Sequence, residues 1–111
     1  METLIKNVEH RVPFGVKDLV NYETGKINSL TLSQTPGCKV TVFAIDADEG
    51  MSTHAAPGDA MAYVLEGTAK IAIDGVEHLV TEGNAIVMPK DVPHAVYAQT
   101  VFKMLLVVVK A

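Results

Sequence analysis

Apolar and polar residues alternate over Thr68-Ala69-Lys70-Ile71-Ala72-Ile73, and Asp74-Gly75 follows at once. A period of two sends successive side chains to opposite faces of a strand, and Asp-Gly supplies two residues that tolerate positive φ. The pattern predicts a hairpin with a type I′ turn. Gly67, Gly75 and Gly83 mark three successive turns with short strands between them, a spacing typical of an all-β sandwich or barrel. Upstream, 26–33 and 39–45 are rich in Val, Ile, Leu, Thr and Phe and are split by Thr35-Pro36-Gly37, which predicts two strands joined by a turn. Downstream, 84–88 ends at Pro89, and Pro93 keeps 89–93 out of a central ladder position. The apolar stretch 101–110 predicts a buried final strand. Only 16–22 reads as a helix candidate, and it is short. Residues 1–25 carry the least pattern and predict an N-terminal arm or edge strand, leaving 26–111 for a barrel within a single domain.

The composition narrows the functional classes. A chain of 111 residues with 49% hydrophobic side chains folds as one domain without needing a staple. Tryptophan is absent and aromatics make up 5%, so the core must be built from Val, Ile, Leu, Met and Ala. The net charge is −4 and the basic residues are scattered singly, which argues against nucleic acid or an anionic membrane as partner. Cys38 is the single cysteine, so no intrachain disulfide forms and an oxidising compartment is not implied. The first residues lack the pattern of a signal peptide, and the apolar run 104–109 is too short to span a bilayer. A cytoplasmic protein is expected.

Two stretches carry the chemistry, 50–67 and 83–98. They resemble the paired motifs of the cupins, written G-x5-H-x-H-x3,4-E-x6-G and G-x5-P-x-G-x2-H-x3-N. His54 fills the first His slot, Gly67 closes the first motif at the required interval, and Tyr63-Val64-Leu65-Glu66-Gly67 is a characteristic ending. Gly83, Pro89 and His94 are in register with the second motif. The resemblance spans residues 38–111 and implies a single-domain jelly-roll β-barrel of the RmlC-like class, commonly a homodimer, here with the arm as the element added or exchanged.

The departures fall on the ligands. Cupins converge His, His, Glu and His on one metal ion inside the barrel. In this chain Ala56 stands at the second His, Ala60 at the Glu, Asp91 at the second motif's Gly and Ala98 at its Asn, while Gly50 lies two residues late. The resemblance thus implies at most one divalent transition metal (Zn, Ni, Fe, Mn or Cu), held by His54 and His94 with reduced affinity. Strand alternation directs Ala56, Ala60, Ala62, Val96 and Ala98 to the same side as the histidines, and Met88 ends the strand facing them. Small residues around two imidazoles suggest a retained cavity, which closure by Met51, Met88 or Met104 would remove.

The remaining candidates have plainer readings. Asp59 points away from Ala60's face, Glu66 belongs to a turn, His78 reads as a core or interface histidine, and His10 carries no signal. Cys38 reads as a buried small hydrophobe and the methionines as gap-fillers. By alternation Tyr63 and Tyr97 face the other sheet or an interface. The expectation is a small-molecule-binding cupin with a pocket around His54 and His94, which are also the candidate catalytic residues. The alternatives are a metal-dependent dioxygenase, isomerase or decarboxylase, a metal-free epimerase that needs Tyr63 or Tyr97 as acid partner, and a ligand-sensing module.

Overall fold

A computed structural model describes residues 3–111. Among these residues the strands are β1 (Ile27–Thr35), β2 (Cys38–Ile45), β3 (Gly50–His54), β4 (Asp59–Glu66), β5 (Thr68–Ile73), β6 (Val76–Thr81), β7 (Ala85–Met88), β8 (His94–Ala98) and β9 (Phe102–Val109). They form a five-stranded sheet in the order β1-β2-β9-β4-β7 and a four-stranded sheet in the order β3-β8-β5-β6. The pairings are antiparallel, and the two sheets enclose a common core in the jelly-roll arrangement that the alternation and the motifs predict.

The turns explain the register. Asp74 and Gly75 have φ of 50° and 80°, the pair of positive values a type I′ turn requires, and Ile73 pairs with Val76 across it. Thr35 pairs with Cys38, so Pro36-Gly37 is itself the turn and β1 runs two residues beyond the predicted end. Gly67 has φ 80°, and a Cβ there would collide with the Val101 carbonyl oxygen. Only glycine satisfies both demands, which is why the chain can fold sharply from β4 into β5. The helix candidate shrinks to one 3-10 turn, Val16–Leu19, because no side chain caps it and Val20 returns to extended backbone.

Burial alternates along β4: Ala60, Ala62 and Val64 are buried, whereas Met61 and Tyr63 are exposed. Between the sheets these residues join Ile45, Met88, Phe102 and Met104 from the larger sheet and Ala69, Ile71, Val80, Val96 and Ala98 from the smaller. Large and small side chains are thus mixed across the interface. Each large one contributes about 1.5–3 kcal/mol by leaving water.

Residues 3–25 form no strand. They lie along β1 as a strap: the Lys6 amide donates to the Leu32 carbonyl (2.7 Å), Asn7 Nδ2 to the Thr31 carbonyl (2.6 Å) and Ser33 Oγ to the Leu4 carbonyl (2.6 Å). The β1–β2 register slips at Leu32, which frees the carbonyl that Lys6 takes. The strap blunts an exposed sheet edge. Its apolar residues Val8, Val16, Leu19 and Val20 pack on Leu32, Val42 and Ala44, making a second core on the outer face of the five-stranded sheet. Two polar contacts fasten it: Lys103 Nζ donates to the Lys17 carbonyl (2.6 Å), and Tyr22 Oη donates to Glu66 Oε2 (2.8 Å). No helix among the described residues is long and apolar enough to cross a membrane.

Candidate functional site

His54 ends β3 and His94 begins β8, and the ladder sets them directly opposite each other. Opposed residues in an antiparallel pair share one face of the sheet. The ring centroids are 4.4 Å apart and the planes make an angle of 70°. Gly50 holds β3 against β8, since a Cβ there would strike the Val96 carbonyl oxygen.

Both imidazoles are oriented in the same way. His54 Nδ1–H donates to the Ser52 carbonyl (2.8 Å) and His94 Nδ1–H to the Val92 carbonyl (3.2 Å), each two residues back. A carbonyl only accepts, so Nδ1 carries the proton on each ring, and in the neutral form of either ring the unshared pair is on Nε2. His94 is 4% exposed, whereas His54 is exposed and stands at the mouth. Burial is the main cause that lowers the His94 pKa below the ordinary histidine value. The Val92 bond opposes this shift, and the neighbouring His54 reinforces it.

Below the pair is a cavity of about 60 Å³ lined by Met51, His54, Ala56, Ala60, Met88, His94, Val96, Met104, Leu106 and Val108. At about 10–15 Å³ per water, it admits a few waters or one ion. The loop between β7 and β8 is tied to the segment that follows His54. Asp91, at the family's glycine position, adopts φ 63°, and its amide donates to the Ala56 carbonyl (2.9 Å). Asp59 Oδ1 accepts the Lys90 amide (2.8 Å) on the same loop, which occupies that carboxylate away from the histidines.

Of the residues predicted to line the pocket, Ala56, Ala60, Met88 and Val96 reach the cavity. Ala62 and Ala98 do not: both are fully buried among the packed core residues, farther along their strands. The alanines therefore do not open a wide chamber. Met51, Met88 and Met104 narrow the interior and leave a small void. Leu106 and Val108 are walls that sequence reasoning missed. Alternation through Phe102 and Met104 would have found them, but β9 is apolar on both faces and so hides its own phase.

Other candidates fall elsewhere. Tyr97 Oη donates to Asp48, which, ahead of burial, raises its pKa, and neither Tyr97 nor Tyr63 lines the cavity. The epimerase reading therefore loses its acid partner. His78 is exposed on β6, where Val80 alone is buried, so it is not a core histidine. Cys38 is half-buried. A larger concavity of about 700 Å³ is lined by arm residues from Thr3 to Phe14, none of them from either motif.

Among the described residues no three His, Cys, Asp or Glu side chains come together as a metal site. Ala56 and Ala60 line the cavity where the second imidazole and the carboxylate would stand, and a methyl has no lone pair. The residues do not fit the four-ligand centre of the cupins.

The comparisons with known proteins agree with the fold. The family model "Cupin domain" matches residues 41–109, and the chain belongs to the cupins. It is similar to a conserved protein of unknown function from Streptococcus pyogenes, with 42% identity, a TM-score of 0.96, and coverage of 99% of this chain and 96% of that one. It is also similar to a cupin 2 conserved barrel domain protein from Leptotrichia buccalis, with 41% identity, a TM-score of 0.85, and coverage of 87% of this chain and 47% of that one. A cupin superfamily protein from Desulfitobacterium hafniense, at 22% identity, TM-score 0.93, and coverage of 98% of this chain and 100% of that one, shares the fold. No curated protein matches the chain.

Proposed function

We propose that this chain is a small-molecule-binding cupin whose recognition element is the His54–His94 pair. The observation that carries the reading is the shared tautomer: two adjacent rings, each anchored through Nδ1, each left with an Nε2 acceptor. Two adjacent acceptors beside an apolar cavity favour a hydrogen-bond donor or a Lewis acid over an anion. The enclosed space of about 60 Å³ is far below the roughly 300–1,000 Å³ of a pocket for a drug-sized ligand. Only a small head, such as an amine, a hydroxyl or an ion, enters, and the rest of a ligand lies at the His54 mouth. A divalent ion here would have two imidazoles as protein ligands, with correspondingly weak affinity. Apart from the two histidines no titratable side chain lines the cavity, so the pair has no carboxylate or phenol beside it to serve as an acid partner.

A thermal-shift panel of small amines, polyols and metal salts on the wild type, His54→Ala and His94→Ala tests the reading. Ligands that stabilise the wild type and neither variant support it; ligands that stabilise all three equally overturn it.

We further propose that the barrel works as a homodimer. Leu4, Ile5, Val12 and Phe14 are exposed on the arm, an apolar cluster of the kind that a second copy covers. Sedimentation should give twice the chain mass, and a monomer at tens of micromolar would contradict it.

A further inference from the structure

We infer that the cavity beneath the histidine pair is a site for a soft monovalent metal ion, of which copper(I) is the biological example. It is held by Nε2 of His54 and His94 together with thioether sulfur from Met51, Met88 and Met104. The inference rests on the pocket reading above and specifies its occupant.

The donor chemistry of the wall points this way. Every heteroatom-bearing side chain that lines the cavity is an imidazole or a thioether, and the remaining five side chains are alanine, valine or leucine. No carboxylate, hydroxyl or amide side chain is present, so hard cations find no oxygen donor among the side chains. Thioethers favour copper(I), and imidazole serves copper in either state.

Charge reinforces the choice. The family's glutamate position is Ala60, so the ligand set is neutral, and the walls around it are apolar. The penalty for placing an ion in a low-dielectric interior grows with the square of its charge, so a monovalent ion bears about a quarter of the divalent penalty. The substitution that spoils the site for a divalent ion leaves it suited to a monovalent one.

Methionines are ordinarily gap-fillers, because their side chains adapt to irregular space. Here they have not filled the gap. Three of the chain's five methionines line the void, Met88 and Met104 are buried from solvent, and about 60 Å³ remains between thioethers and imidazoles. Met61, exposed on the opposite face of β4, provides an internal control.

The test is titration of the full chain with copper(I) under anaerobic, reducing conditions against a chromophoric copper(I) chelator. Zinc(II) is titrated in parallel, and silver(I) is added to methyl-labelled protein for NMR. One copper(I) per chain is expected, bound more tightly than zinc(II). Silver(I) should shift the methyl signals of Met88 and Met104 while leaving that of Met61 in place. Met88→Leu and Met104→Leu conserve volume, and each should weaken copper(I) binding roughly tenfold or more without weakening zinc(II). Met61→Leu should change nothing. Unaltered copper(I) affinity in both cavity variants, preference for zinc(II), or absence of binding overturns the inference. If copper(I) fails while organic ligands still depend on His54 and His94, the metal inference alone falls. If no ligand depends on either histidine, the pocket reading falls with it.

Discussion

His54 and His94 face one another across the β3–β8 ladder with ring centroids 4.4 Å apart, each donating Nδ1–H to the carbonyl two residues before it. This repeated local geometry turns two strand-end residues into a matched pair of acceptors. It is produced by backbone, not by other side chains, and so survives the loss of the family's remaining ligands.

The buried ring makes the metal-free protein acid-sensitive. Burial lowers the His94 pKa in the folded state, so the unfolded chain binds a proton at higher pH than the folded one. Stability from this group is fully present above the unfolded value of about 6.5 and declines as pH falls from there toward the folded value. Melting temperature should drop across that window in metal-free protein, and His94→Gln should flatten the slope. An unchanged slope in the variant would assign the acid sensitivity to other groups.

Restoring the missing ligands should restore the family's metal site. Ala56 and Ala60 both line the cavity, and Ala60 is almost wholly buried. The double variant Ala56→His/Ala60→Glu places a carboxylate in an apolar wall, which should destabilise the metal-free protein by about 3 kcal/mol or more. Zinc(II) or manganese(II) should recover that loss, because an ion that binds only the folded state stabilises it. Thermal melts with and without metal read both effects.

The strap is held by a polar clamp that can be removed atom by atom. Tyr22 Oη donates to Glu66, and burial, then this bond, raises the phenol's pKa well above its ordinary value. Lys103, 8% exposed, donates to the Lys17 carbonyl and lies 5.0 Å from the Tyr22 ring centroid. Tyr22→Phe leaves Glu66 without that donor and should lower stability by about 1–3 kcal/mol in urea denaturation. Ligand binding at the histidines should be unaffected, since neither residue lines the cavity.

Two glycines with the same φ should respond differently to alanine. Gly67 and Gly75 share φ of 80°, but a Cβ at Gly67 meets Val101 and Phe102 whereas one at Gly75 meets open space. Gly75→Ala should lose only the left-handed penalty of about 1–2 kcal/mol, and Gly67→Ala should lose distinctly more. Equal losses would show that the β4–β5 turn is looser than its packing implies.

Much of the barrel was legible because its strands are amphipathic. Thr68 to Ile73 alternates, Asp74-Gly75 closes the hairpin, and the observed strand has the predicted limits. Where a strand is apolar on both faces the pattern is silent, which is why Leu106 and Val108 on β9 were not anticipated as cavity walls. The arm illustrates a different blindness. Its contacts are single hydrogen bonds with β1 and scattered apolar anchors, neither of which has a period. At the site, alternation set the side on which Ala62 and Ala98 lie but not their depth, and depth decides whether a residue meets the cavity or the packed core. Which side chains would fill the space left by the lost ligands was likewise a matter of packing among β3, β7 and β9.

The most direct test of the histidine pair is nitrogen-15 NMR of the imidazole rings in metal-free protein near pH 8, followed through addition of copper(I) or silver(I). Both His54 and His94 should show the Nδ1–H tautomer, and both Nε2 signals should move together on binding. A protonated Nε2 on either ring, or Nε2 signals that stay in place while a ligand binds, would contradict the account.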